Sequence, residues 1–244
     1  MSDTSTLIGY QTRTISRDEL ALVPTPPSTA THHPVPHHEI VQALVETLGF
    51  RHISAVHDEY AVSPDGMKMF GVLDLATEIH GCRFSIGIRN SHDKSMRLAM
   101  TCGYRVFVCS NMAFQGEYTP VLAKHSKSFS LVDSISIGVD WMQRSFEPMQ
   151  QQITARRQSE LTNVTAKLLI YEAFVEGELE VPKHLARRVH DLYFEPQYEE
   201  FQPRTLWSLS NAFTSAFKEL DPVPQLKATA RLASYLQTRA SRNF

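Results

Sequence analysis

Between Arg83 and Arg105 the chain sets Arg83, Arg89, Lys94, Arg97 and Arg105 against a single acid, Asp93, within a 244-residue protein of formal net charge −2. A guanidinium is a planar fork that matches phosphate, and a local cationic patch can dominate a contact on an otherwise acidic surface. Glycines in the same stretch allow close backbone approach to a ligand. Phe107 offers a ring on which a base could stack. A second basic group, Lys124 and Lys127, follows in "AKHSKSF". The chemistry these residues suggest is gripping a phosphate backbone, not making or breaking a bond.

No reactive constellation accompanies them. The chain has no P-loop, HExxH, GxSxG or dinucleotide fingerprint, which lowers the expectation of an enzyme. His92 and Asp93 are adjacent without a spaced nucleophile or base, a pattern better explained by turn chemistry, so no catalytic residue and no cofactor is assigned. Cys82, Cys102 and Cys109 are an odd set without CxxC spacing, pointing to buried reduced thiols and not to a disulfide framework or a zinc site. His32, His33, His37 and His38 could ligate a metal, but the prolines between them argue against a preformed site; the expectation is a solvated arm and no metal. With no apolar run of about 18 residues and no apolar signal core at the start, a soluble, cytoplasmic protein without membrane contact is expected.

The elements that must position the basic residues can be read from periodicity. Residues 1–38, with "PTPPSTATHHPVPHH", read as an extended or disordered N-terminal arm. Residues 39–140 read as an α+β sheet region. "HEIVQALVETL" has helical spacing, strands flank Pro64-Asp65-Gly66, and "GCRFSIGIRN" and "MRLAMTCGYRVFVCS" are two strands joined by "NSHDKS". Residues 141–244 read as a helical region packed on the sheet within the same domain. There, one long helix is expected from near Pro148 to Gly177, with Ile153, Leu161, Val164, Leu168, Tyr171 and Val175 as its buried stripe. The fold class is therefore α+β: a mainly antiparallel sheet, a long helix and a helical C-terminal third.

Side chains alternate along a strand, so parity divides the hairpin. Phe84, Ile86 and Ile88 with Leu98, Met100, Cys102, Tyr104, Val106 and Val108 form an apolar face. Arg83, Arg89, Arg97, Arg105 and Phe107 fall on the other. Left open, that second face would be a basic platform; if it is covered, Arg97 and Arg105 require carboxylate partners.

The segments "RNSHDKSMRLAMTCGYRVFVCSNMAFQGE", "KHSKSF" and "LWSLSNAFTSAFK" resemble the phage/plasmid-like family of unknown function, domain of unknown function family 932, carried on plasmids, phages and prophages. The similarity is placed from about Phe50 to Leu220. Its matching positions are Arg89, Asn90, Ser91, Gly103, Arg105, Cys109, Ser110, Asn111, His125, Trp207, Asn211 and Thr214. The resemblance implies a mobile-element setting and supplies no reaction. A hairpin and further antiparallel strands followed by a long helix also look like the core of single-strand annealing proteins, an analogy of topology alone.

The functional expectation is a mobile-element protein that binds single-stranded DNA, a possible homo-oligomer promoting annealing or recombination. The nucleic-acid-binding set is Arg83, Arg89, Lys94, Arg97, Arg105, Phe107, Lys124 and Lys127. The alternative is a protein-binding regulator or counter-defence factor without nucleic-acid contact.

Overall fold

The computed structural model describes residues 12–109, 111–114, 121–126 and 128–243. Its centre is an antiparallel sheet in the order β1 (Arg13–Ile15), β2 (Ala55–Val62), β3 (Lys68–Ile79), β4 (Cys82–Ser91), β5 (Leu98–Val106) and β6 (Met112–Phe114). A further strand, β7 (Val121–Ala123), pairs with the other half of β5. The β2–β3 hairpin closes on Ser63-Pro64-Asp65-Gly66, where Gly66 has φ of 70° and its N–H donates to the Ser63 carbonyl. Proline at the first corner and glycine at the positive-φ position are what that turn requires.

The hairpin register is the one that alternation predicts: Arg83 opposes Arg105, Phe84 opposes Tyr104, and Arg89 opposes Ala99. Phe84, Ile86, Ile88, Met100, Cys102 and Val106 are all buried. Helix α2 (His37–Phe50), after the short α1 (Arg17–Leu20), and helix α3 (Leu131–Gln158) cover this face, inserting Ile40, Leu44 and Leu48 and then Ile135, Val139, Met142 and Ile153. At Gly138 a Cβ would come within 2.6 Å of Met100 and Val121, so glycine sets how closely α3 approaches the sheet.

The opposite face is not an open platform. Strands β2, β3 and β6 contribute Ala61, Phe70, Val72 and Met112 to it, and Leu226 of helix α7 (Pro222–Asn243) packs on that cluster. Ser85 and Thr101 on this face are buried. Two apolar faces must both be covered, and the C-terminal helix covers part of the second.

The helical third also departs from expectation. Helix α3 begins at Leu131 and carries Pro148 internally; the chain then breaks at Ser159 and restarts as α4 (Asn163–Phe174). Thr162 caps α4 by accepting from the Thr165 N–H at 3.0 Å, while Leu161 N–H donates to Arg204 O and Leu206 N–H to Ser159 O across the break. The expected stripe is split accordingly. Ile153 and Leu161 are buried, but Val164, Leu168, Tyr171 and Val175 face outward, and α4 buries Ala166, Leu169, Ile170, Ala173 and Phe174 instead. Those residues join α5 (Leu185–Phe194), α6 (Leu206–Ala216) and α7 in a second apolar core.

The two cores meet through a buried polar seam. Asn111 donates through Nδ2 to the Asn211 carbonyl at 3.1 Å, and Asn211 donates through Nδ2 to the Trp207 carbonyl at 3.0 Å. Trp207 stacks on Tyr104 of β5, with Arg157 over its ring at 4.6 Å. Among the described residues, no helix is long and apolar enough to cross a membrane.

Candidate nucleic-acid interface

The expected binding residues divide between the two ends of the β4–β5 hairpin. Arg83 and Arg89 lie six positions apart on one strand, a separation of roughly 20 Å at strand rise.

At the first end the cations are already engaged. Arg83 and Arg105 face each other across the ladder, and like charges so placed repel. Acids from the neighbouring strands resolve the conflict. Arg83 pairs with Glu78 at 2.6 Å and lies over the Phe107 ring at 5.0 Å. Arg105 pairs with Glu59 at 2.9 Å and with Asp74 at 2.8 Å, and Asp74 also accepts the Ser85 hydroxyl at 2.6 Å. Asp74 is 2% exposed. The Arg105 guanidinium therefore balances the buried Asp74 and the partly buried Glu59, as the covered-face alternative requires. Phe107, although 43% exposed, has one face occupied by Arg83.

The second end differs. Lys94 and Arg97 are exposed in the β4–β5 loop, and Lys124, just after β7, is exposed as well. Pairing of Leu98 with Ala123 ends the β5–β7 ladder between Arg97 and Lys124, so one backbone joint holds both loops. Arg97 precedes β5, outside the ladder, and is not part of the ordered sheet face. None of Lys94, Arg97 and Lys124 forms an ion pair among the described residues; Lys127 lies outside them. Lys94 holds a left-handed backbone, φ 65°, a conformation that is costly for a residue with a side chain and easy for glycine. Behind the loops stands Arg89, half-buried, with no carboxylate partner among the described residues and a pKa lowered by burial. The local acids are Asp93, 3.9 Å from Lys68, and the exposed Asp65.

The same end gathers histidines that do not form a solvated arm. His32 and His37 of the arm meet His92 of the β4–β5 loop and His125 after β7; all four are buried. The His37 and His92 rings stack at 3.9 Å, and those of His32 and His125 at 5.6 Å. Burial, reinforced by the neighbouring imidazoles, lowers His37 and His125 to about 4 and lowers His92 as well. No group of three or more potential ligands is placed to hold a metal among the described residues. The thiols are likewise quiet: burial raises Cys82 and Cys102 to about 12 and Cys109 to about 11.

Reading the hairpin alone misses Glu59, Asp74 and Glu78. The available signal was Asp74 itself, an acid at the same parity as Phe70 and Val72 in an otherwise apolar strand, which needs a buried cation.

This arrangement, an antiparallel sheet with one face covered and the other covered in part, and a buried polar seam to a helical third, is that of an α+β protein. The chain matches the family described as domain of unknown function (DUF932) over residues 29–242 and belongs to it. The match extends well beyond the span from Phe50 to Leu220 and includes His32 and His37. Neither the curated proteins nor the solved structures contain a match to the chain.

Proposed function

We propose that the protein binds single-stranded nucleic acid, in a mobile-element setting where it supports annealing or recombination, through phosphate contacts at the loop end of the sheet. The observation that carries this reading is the group of loop cations, Lys94, Arg97 and Lys124, on two loops fixed side by side by the β5–β7 ladder, with Arg89, which has no carboxylate partner among the described residues, behind them. Ammonium and guanidinium groups so placed bind phosphate without reading bases. Binding is therefore indifferent to sequence. The test is anisotropy of labelled oligonucleotides of about 30 nucleotides in three unrelated sequences, with wild type and Lys94→Ala/Arg97→Ala/Lys124→Ala. Similar affinities for all three sequences, each weakened at least about tenfold in the variant, support the reading. Equal binding by wild type and variant removes it.

A second reading, a protein-binding regulator or counter-defence factor, draws on α4. Val164, Leu168, Tyr171 and Val175 recur at spacings of four, three and four residues and are 78%, 46%, 52% and 49% exposed. An apolar stripe of this kind suits a helix-packing contact, which would also serve self-association. If Leu168→Glu abolishes oligomer formation in sedimentation and leaves oligonucleotide affinity intact, α4 serves assembly and not nucleic-acid contact.

A further inference from the structure

The histidine cluster ties residues 29–37 to the sheet through hydrogen bonds whose directions fix each tautomer. His37 offers Nε2–H to the Gly66 carbonyl at 3.0 Å, so its Nδ1 is the lone pair that accepts from Asn90 Nδ2 at 2.9 Å. His125 accepts the Val35 N–H at Nδ1, 3.1 Å, while its own carbonyl accepts the His33 N–H at 3.1 Å. His92 and Asn90 donate through Nε2 and Nδ2 to the Val35 carbonyl at 3.0 and 3.1 Å, and His32 Nε2–H donates to the His92 carbonyl at 3.0 Å. Thus two of the bonds that hold the segment end on an imidazole lone pair. Protonating His37 would set N–H against the Asn90 amide N–H, and protonating His125 would set N–H against the Val35 N–H. Each would turn an attraction into a donor–donor conflict.

We propose that His37 and His125 form a proton-operated latch: neutral, they fasten residues 29–37 across the end of β3, β4 and β5; protonated, they release that segment while the sheet stays folded.

The surroundings favour the neutral form. Facing His37 are His92 and His125 from the loops and His38 from its own helix, and facing His125 are His32 and His92. Among the described residues, the charged neighbours along the chain are Asp65 beside Gly66 in the β2–β3 turn, Asp93 and Lys94 after His92, Lys124 before His125 and Glu39 on α2, with Lys68 of β3 3.9 Å from Asp93. Asp93 pulls His92 toward the charged form, yet desolvation outweighs it. Because the closed-state affinities for protons lie below that of a free imidazole, closure is fully favoured above about pH 6.5. It weakens as pH falls toward about 4, where closed His37 and His125 themselves titrate. Over that window each imidazole lowers the closed-to-open ratio by up to about tenfold per pH unit.

Amide exchange followed by NMR between pH 7 and 4, expressed as protection factors, tests the latch. Protection at the His33 and Val35 amides should fall at least about tenfold between pH 6.5 and 4.5 while Val72 and Ile86 in the sheet change less than about twofold. In His37→Asn/His125→Asn an uncharged oxygen takes the place of each accepting Nδ1, and the pH dependence at Val35 should flatten. Protection that stays constant to pH 4 in wild type overturns the proposal. So does loss in step with Val72 and Ile86, which is global acid unfolding, or an unchanged pH profile in the double variant. Should the double variant fail to fold, the wild-type comparison of Val35 with Val72 decides alone.

Discussion

The two ends of the β4–β5 hairpin carry similar cations in opposite circumstances. Arg105 sits between Glu59 and Asp74 under a covered face, and Arg83 is held by Glu78 and Phe107. At the other end Lys94, Arg97 and Lys124 reach solvent, and Arg89 is half-buried without a carboxylate among the described residues. Arginine in a strand is thus no sign of a binding surface until the neighbouring strands are accounted for. Charge already balanced within the fold holds the fold; charge left over is open to a ligand.

The sharpest way to break this contrast is a matched pair of substitutions. Arg105→Met should destabilise by about 3–5 kcal/mol in urea unfolding, because it strands Asp74 and Glu59 away from their counter-ion. Arg89→Met removes a desolvated cation with no carboxylate partner among the described residues to strand, so its effect should be below about 1 kcal/mol. Equal losses at the two sites would show that the ends do not differ as described. On α4, Leu169→Ala should cost about 2–5 kcal/mol and Leu168→Ala less than about 0.5 kcal/mol, since one is buried and its neighbour is 46% exposed. Glu78→Gln should cost at most about 1 kcal/mol, since Glu78 is 54% exposed and surface pairs contribute little. A larger loss would move Arg83 into the same class as Arg105.

These substitutions also mark how much could be read from the chain. Alternation placed Arg83, Arg89, Arg97 and Arg105 on one face, and the register holds for all but Arg97, which precedes β5, because β4 and β5 are regular and their apolar partners are unambiguous. It could not say what covers that face. Phe70 and Val72 come from β3 and Leu226 from a helix more than a hundred residues later, so covering is a property of the whole fold. The long-helix reading failed differently. Helix α4 is apolar on two sides, and a period alone cannot choose between Leu168 and Leu169; the cap at Thr162 was the missed sign of a break. The histidines of the arm read as solvated because their partners, Asn90, His92 and His125, lie on strands and loops far along the chain. Of the candidate site, Lys94 and Lys124 were legible as loop cations, whereas Arg97, expected on the sheet face, stands in the loop before β5, and the engagement of Arg83 and Arg105 was not legible.

The central claim is that the loop end, whose cations Lys94, Arg97 and Lys124 form no ion pair among the described residues, meets phosphate, and the balanced end does not. The most direct test is the salt dependence of oligonucleotide binding for wild type, Lys94→Ala/Arg97→Ala/Lys124→Ala and Arg83→Ala. The logarithmic salt slope should become shallower by about 2 in the triple variant, at about 0.7 for each single-strand phosphate no longer neutralised, and should be unchanged in Arg83→Ala. An unaltered slope in the triple variant, or no salt-sensitive binding by wild type at micromolar concentration, would contradict it.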